Sequence, residues 1–493
     1  MTAFEDMESV TNNRFRSTPM ADQSRDSATA AASEVSVEIA PPTKTLHTVH
    51  EEETNGHIPA GRVVGNGNSK RAQARGASFS LKQVRRNISK QLSLDDFDWD
   101  AAKRRNEQIE QIALNDQEQY DMPVKPQSKL EKAWIGFLAT LSDTFLVARL
   151  ALKLFAYLGG GGTWVFRFLR LCLYTCLLMP GFAQMFFFYF LSSRVIRSVA
   201  YGKKPRQRLD IFVPKHHWKE NDTLRPVVIY VTGGAWTIGY KAWGSLLGRR
   251  LSKHGCLVCC LDYRNFPQGT IVDMLEDVNT GIGWVLQKIS NYGGDPEQVY
   301  LVGQSCGGQL CSLTTLLQAE QAIGPQAIIG GTPKWDITHL RGLVGVSGVY
   351  NCADLRQHFN QRGLYFSLFD RIMSFQGNTQ LKALSPTYVV HGAQYAHLMP
   401  PVLLLHGTKD TCVPLYNAKQ FHQALHRAGI QSTLKIYEGE THTSPLVENP
   451  MRGGTDKLMD DILSMVKGEE VITVQYSLCP GFLVTLAAWV CPF

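Results

Sequence analysis

The sequence carries little charge for its length: 19% of its 493 residues are Asp, Glu, Lys or Arg, and the net charge of +7 comes from scattered basic residues. That distribution excludes the concentrated basic face of a nucleic-acid binder. No second cysteine pair stands at zinc spacing from Cys256 and Cys259. Their setting, Cys256-Leu-Val-Cys-Cys-Leu-Asp262, reads as a buried strand in which a thiol acts as a small apolar side chain. The 11 cysteines are an odd number, and Cys172, Cys176, Cys259 and Cys260 lie in apolar runs, so reduced thiols and a cytosolic catalytic domain are expected, with no metal and no cofactor. Met1 to about Asp22 is polar and mixed in charge, so no cleavable signal peptide is expected. There is no internal repeat.

Aromatic residues are sparse before about residue 125, where Ser, Thr, Asn, Ala, Gly and charged residues dominate. Such a segment buries too little apolar surface to offset chain entropy, and a disordered tail over 1–125 is expected. A helical membrane-anchoring region is expected over 130–200. Within it, residues 171–191 (LCLYTCLLMPGFAQMFFFYFL) contain no charge, a length that crosses roughly 30 Å of hydrocarbon. Pro180-Gly181 in its middle predicts a kink, compatible with a span or a re-entrant hairpin. Residues 134–158 form a weaker apolar stretch, interrupted by Asp143, Arg149 and Lys153, that suits a second span or an interfacial helix. Arg167 and Arg170 precede the strong run, and the larger cluster Arg194, Arg197, Lys203, Lys204, Arg206 and Arg208 follows it, which favours a cytosolic catalytic domain. Residues 471–493 are apolar but broken by Pro480, as expected of a helix packed on the domain or on a membrane surface.

From 201 to 470, short apolar runs at 226–232, 257–262, 299–303, 342–347 and 402–406 alternate with helical patterns at 270–290, 307–321 and 415–428. That alternation predicts an α/β fold with a mostly parallel sheet covered on both faces. Gly303-Gln304-Ser305-Cys306-Gly307 joins the apolar run 299–302 to a helix-capable stretch. A G-x-S-x-G in that context is the nucleophile elbow of an α/β-hydrolase, and Ser305 is the expected nucleophile. Upstream, Tyr230-Val-Thr-Gly-Gly-Ala-Trp236 ends a strand, and its Gly233 and Gly234 let the chain turn close to a substrate carbonyl. The N–H groups of Gly234 and Ala235, with that of Cys306, are the expected oxyanion donors. Downstream, His406-Gly-Thr-Lys-Asp-Thr-Cys-Val-Pro414 supplies Asp410 after a strand, and Tyr437-Glu-Gly-Glu-Thr-His-Thr443 supplies His442 after the run 433–436. The order Ser, Asp, His is the order this fold requires, with His442 as base and Asp410 as its orienting acid. His406 is expected to be structural, His216 and His217 have no catalytic partner nearby, and Glu438 and Glu440 are too close in sequence to His442 to serve as the acid.

At Thr232-Gly-Gly-Ala-Trp-Thr-Ile-Gly-Tyr-Lys-Ala-Trp-Gly-Ser-Leu-Leu247 and Leu261-Asp-Tyr-Arg-Asn-Phe-Pro-Gln-Gly-Thr270 the chain closely resembles the plant isoprenylcysteine α-carbonyl methylesterases, in the carboxylesterase and hormone-sensitive-lipase-like branch of the fold. Tyr292-Gly-Gly-Asp-Pro296 and Gly439-Glu-Thr-His-Thr443 belong to the same likeness, which runs from about residue 130 to the end of the catalytic domain. The resemblance implies hydrolysis of the methyl ester on C-terminal farnesyl- or geranylgeranyl-cysteine of prenylated proteins, at endoplasmic-reticulum and Golgi membranes. A lipidated substrate and the run 171–191 agree in pointing to a bilayer partner. Two residues depart from the wider branch: Thr232 stands where many relatives have His, and Cys306 where they have Ala. The larger Cys306 is expected to narrow the acyl pocket. Trp236, Tyr240 and Trp243 either line a prenyl channel or belong to the core, and the aromatic segment 359–376 either caps the pocket or is a plain surface helix. A carboxylesterase or lipase of broader acyl specificity is the rival enzyme. A ligand-binding relative without catalysis is disfavoured by the complete set of Ser305, Asp410 and His442. Asn221-Asp222-Thr223 is a glycosylation sequon that a lumenal domain would expose to modification.

Overall fold

The computed structural model describes residues 162–215, 223–323, 335–375, 378–390 and 394–492. The expected tail over 1–125, the apolar stretch 134–158, His216, His217 and the Asn221-Asp222 part of the sequon lie outside them.

The described chain opens with two apolar helices, α1 (Gly162–Leu177) and α2 (Met179–Leu191). The sheet strands and larger helices follow as β1 (Val195–Ala200), β2 (Arg208–Phe212), β3 (Arg225–Val231), α3 (Ser245–Lys253), β4 (Leu257–Leu261), α4 (Ile271–Lys288), β5 (Gly294–Gln304) and α5 (Cys306–Ile323). Next come β6 (Leu340–Val346), α6 (Cys352–Gln361), α7 (Phe366–Ile372), β7 (Val402–Gly407), α8 (Leu415–Arg427), β8 (Ser432–Tyr437), α9 (Lys457–Lys467) and α10 (Gly481–Val490). The eight strands form one sheet in the order β1-β2-β4-β3-β5-β6-β7-β8. Only β2 runs antiparallel to its neighbours β1 and β4; the other pairings are parallel. This is the α/β-hydrolase architecture expected from the sequence. The central strands read as unbroken apolar runs because both faces are covered: every residue of β4 is buried, Cys259 and Cys260 included. One core lies among Val227, Ile229, Leu301 and the helices α4 and α5, and another on the opposite face among Val228, Val302, Leu405 and α9.

The run 171–191 is bent, as the kink expected at Pro180-Gly181 requires. It is divided between α1 and α2, which are bent by 71° at Leu178. Pro180 in the first turn of α2 has no N–H to offer the turn before it, and the break lets Leu178 bury completely. Gly181 then packs against Met451, whose Sδ would stand 2.1 Å from a Cβ at that position. No single helix among the described residues is long and apolar enough to cross a membrane. The sheet itself begins at Val195, inside the 130–200 range read as membrane anchor, because β1 pairs with β2. Helix α2 is tied to that sheet by a buried polar cluster. Tyr189 Oη donates to Asp210 Oδ2 at 2.6 Å, and Lys241 Nζ lies 3.0 Å from Asp210 Oδ1 with both side chains almost wholly enclosed. Breaking such a pair would strand a buried charge, so this cluster specifies where α2 docks.

Candidate active site

Strand β5 delivers the elbow. Ser305 has φ 55°, the left-handed region that a side chain rarely adopts. Its conformation is held by its own N–H donating to Val346 O at 2.9 Å and by its carbonyl accepting from Gly308 N at 3.0 Å and Val349 N at 3.2 Å. The flanking glycines have a steric cause. A Cβ at Gly303 would lie 2.4 Å from Gly307 O, and one at Gly307 would lie 2.3 Å from Val231 O. The strand-to-helix reversal therefore closes only without side chains at those positions.

Asp410 sits in the loop after β7 with its carboxylate fully engaged. Oδ1 accepts from Cys412 N and Val413 N, both at 2.9 Å, and Oδ2 accepts from His442 Nδ1 at 2.8 Å. His406 Nε2 donates to Val413 O at 2.7 Å and lies 3.4 Å from Asp410 Oδ2, so its structural role is to close this loop. Burial alone would push the Asp410 carboxyl up, but His442, His406 and the backbone N–H groups hold it below the ordinary carboxylate value. His442, in the loop after β8, turns its other nitrogen to the end of β5: Nε2 is 3.4 Å from Gln304 Nε2, on the residue before Ser305. Ser305, Asp410 and His442 thus lie in the turns at the carboxyl ends of β5, β7 and β8, although in this conformation His442 Nε2 faces Gln304 and makes no hydrogen bond to Ser305. Glu438 and Glu440 are turned elsewhere, accepting from Thr408 Oγ1 and Ser444 Oγ respectively.

The loop after β3 passes against the serine: a Cβ at Gly233 would be 2.8 Å from Ser305 Cβ. Gly234 (φ 131°), Ala235 (φ 47°) and Trp236 (φ 61°) follow in the positive-φ region. Gly234 N and Ala235 N meet no hydrogen-bond partner among the described residues, and Cys306 opens α5, where its N–H has no intrahelical acceptor. The Gly233 N–H is taken by Gln304 Oε1 at 3.1 Å, so this residue contributes the absence of a side chain, which lets the loop approach. The Cys306 side chain departs from expectation. Its thiol is fully buried, accepting from Trp236 N at 3.4 Å and lying 3.6 Å from Tyr263 Oη, so it braces the loop from the core side.

Among the three aromatics, Trp236 is a core residue, 1% exposed, with Phe359 and Phe369 against its ring and its indole N–H donating to Gln309 Oε1 at 2.7 Å. Tyr240 is buried with Arg206 and Lys241 over its ring, and Trp243 is exposed. The segment 359–376 resolves into the end of α6 and α7, whose Phe359 and Phe369 pack inward on Trp236. Sequence reading missed Gln304, whose one available signal was its place inside the elbow motif. Asp410, Cys412 and His442 offer ligand atoms within 4.8 Å of one another, but the Asp410 carboxylate is already engaged by Cys412 N, Val413 N and His442, and burial pushes the Cys412 thiol up to about 12.

A family model described as BD-FAE matches residues 209–425. A probable isoprenylcysteine α-carbonyl methylesterase of Oryza sativa subsp. japonica is 45% identical over 362 residues, covering 71% of this chain and 83% of the relative. A probable isoprenylcysteine α-carbonyl methylesterase of Arabidopsis thaliana is 44% identical over 71% of this chain and 74% of its own length. The isoprenylcysteine α-carbonyl methylesterase of the same plant is 42% identical over 71% of this chain and 82% of its own length. The chain is a carboxylic ester hydrolase and belongs to the isoprenylcysteine α-carbonyl methylesterase family.

Proposed function

We propose that this enzyme hydrolyses the methyl ester of C-terminal S-farnesyl- or S-geranylgeranyl-cysteine in prenylated proteins, with Ser305 as nucleophile, His442 as general base and acid, and Asp410 as its orienting partner. The observation that carries the chemistry is the 2.8 Å bond from His442 Nδ1 to Asp410 Oδ2, with His442 Nε2 3.4 Å from Gln304, the residue before the positive-φ serine. The substrate rests on the names of relatives 42% to 45% identical to this chain. Ser305 Oγ attacks the ester carbonyl as its proton passes to His442 Nε2, and the N–H groups of Gly234, Ala235 and Cys306 receive the developing oxyanion. Collapse expels methoxide, which takes the proton from His442 and leaves as methanol. Water then repeats the sequence on the acyl-enzyme, releasing the prenylcysteine carboxylate and restoring Ser305. Turnover of S-farnesylcysteine methyl ester, followed by methanol release, is expected to exceed that of nitrophenyl acetate by about 100-fold or more in kcat/KM, the scale of about 3 kcal/mol of prenyl burial. Equal or inverted preference would replace the methylesterase reading with a general carboxylesterase.

The working site in this proposal is the cytosolic face of endoplasmic-reticulum and Golgi membranes, reached by docking in the plane of the bilayer. Helices α1, α2 and α10 expose Phe166, Phe187, Leu191, Phe482 and Trp489, the last 82% exposed, while Arg167, Arg170 and Arg194 lie in or beside these helices. An apolar face with basic neighbours suits an anionic interface. Arg170 ties α1 to α10 by donating to Val490 O at 3.1 Å and Cys491 O at 2.9 Å, so the helices present a joint surface. The protein is expected to float with vesicles containing phosphatidylserine, and the double substitution Phe187→Asp/Trp489→Asp to reduce the bound fraction at least tenfold, on the order of 1.4 kcal/mol. Equal flotation of both proteins would remove these residues from the contact.

A further inference from the structure

Gln304 is the last residue of β5, and its two amide atoms face opposite parts of the site. Oε1 accepts from Gly233 N at 3.1 Å, and Nε2 stands 3.4 Å from His442 Nε2. The orientation of the amide is decided by chemistry. A backbone N–H needs an acceptor, so the oxygen belongs at Gly233 and the NH2 belongs at the imidazole. A Cβ on Gly233 would come within 2.3 Å of that oxygen, so the loop approaches the amide as closely as a glycine allows.

An amide NH2 can only donate, and a protonated ring nitrogen opposite it would set two donors face to face. His442 Nε2 must therefore present its lone pair, with the ring proton on Nδ1 toward Asp410 Oδ2 at 2.8 Å. From this we infer that Gln304 is a positioning residue, fixing His442 from the Nε2 side in the tautomer that Asp410 fixes from the Nδ1 side, and coupling the ring to the oxyanion loop through Gly233. The inference rests on the triad roles proposed above. The contact is long for a hydrogen bond, so the Ser305 hydroxyl can displace it when it turns to the base. Once His442 takes the serine proton, its Nε2–H finds no acceptor in Gln304, and the proton remains available to the departing methoxide.

The test is the pH dependence of kcat/KM for a prenylcysteine methyl ester in the full chain carrying Gln304→Glu or Gln304→Met. In Q304E the carboxylate still accepts from Gly233 while its second oxygen favours a protonated ring, so the acid limb is expected to move to higher pH by about one unit or more. In Q304M the limb is expected to stay within a few tenths of a unit while kcat falls about tenfold with KM little changed, as a neutral loss of positioning predicts. A Q304E acid limb superimposable on that of the wild type would overturn the inference. Should Q304E not fold, nitrogen-15 NMR of ring-labelled Ser305→Ala protein decides, since a neutral His442 protonated on Nε2 would overturn it equally. His442→Ala separates the two readings: retained activity there would sink the triad, whereas lost activity with an unmoved Q304E limb would sink the role of Gln304 alone.

Discussion

Ser305→Ala is expected to lower kcat for the prenylcysteine methyl ester by about a million-fold, the loss typical of removing a serine nucleophile whose partners act only through it. The remaining rate would come from the oxyanion donors and from substrate binding, which the substitution leaves in place. The fold is expected to survive. The backbone bonds that hold this residue, to Val346, Gly308 and Val349, do not involve the hydroxyl, and alanine meets the same cost at φ 55° as serine does. Methanol release and a melting curve on the same preparation make the check. A variant within tenfold of wild-type activity would mean that the nucleophile lies elsewhere.

Asp410→Asn is expected to cost about 10⁴-fold in kcat through the wrong tautomer of His442. The loop dictates how the new amide must sit. The Oδ1 position accepts from two backbone N–H groups, of Cys412 and Val413, so the amide oxygen is retained there and the NH2 is driven to the Oδ2 position. That NH2 would face His442 Nδ1 donor to donor, and the ring would answer by moving its proton to Nε2, where it can no longer act as base. A second consequence concerns pH. Because the folded protein depresses the Asp410 carboxyl, its ionised form contributes stability that is fully present above the unfolded value near 3.9 and disappears as pH falls through the folded value. The stability gap between wild type and Asp410→Asn in urea titrations is accordingly expected to be wide at pH 7 and to narrow below about pH 4. A gap independent of pH would show that the carboxylate charge contributes nothing to folding.

Residue order alone carried the central strands and the elbow. The apolar runs that became β3, β4, β6 and β7 needed only local composition, since a strand buried on both faces is apolar along its whole length. The glycines around Ser305 were legible for a related reason: their cause is a backbone-to-backbone approach that every elbow of this type shares. The order of Ser305, Asp410 and His442 followed from the order of the strands that carry them.

Tertiary contact decided the rest. The bend in 171–191 was legible from Pro180-Gly181, but where its two halves dock was not: Tyr189 meets Asp210, and Leu178 is buried, only in the assembled domain. The antiparallel β1 and β2 were missed because β1 is a partly exposed edge strand and β2, although buried, is a short run interrupted by Asp210. A larger residue after the nucleophile suggests a smaller pocket, but the Cys306 thiol turned inward because Trp236 N and Tyr263 Oη, from distant segments, converge on it. Gln304 likewise acquires a role only when Gly233, 71 positions away, and His442, 138 positions away, arrive at its two ends. Sequence by itself determined what the backbone must do within a few residues, because that is set by local sterics and burial. Which side chains face one another across the sheet depends on packing between remote segments, and only the assembled fold holds them at the distances where hydrogen bonds choose a partner.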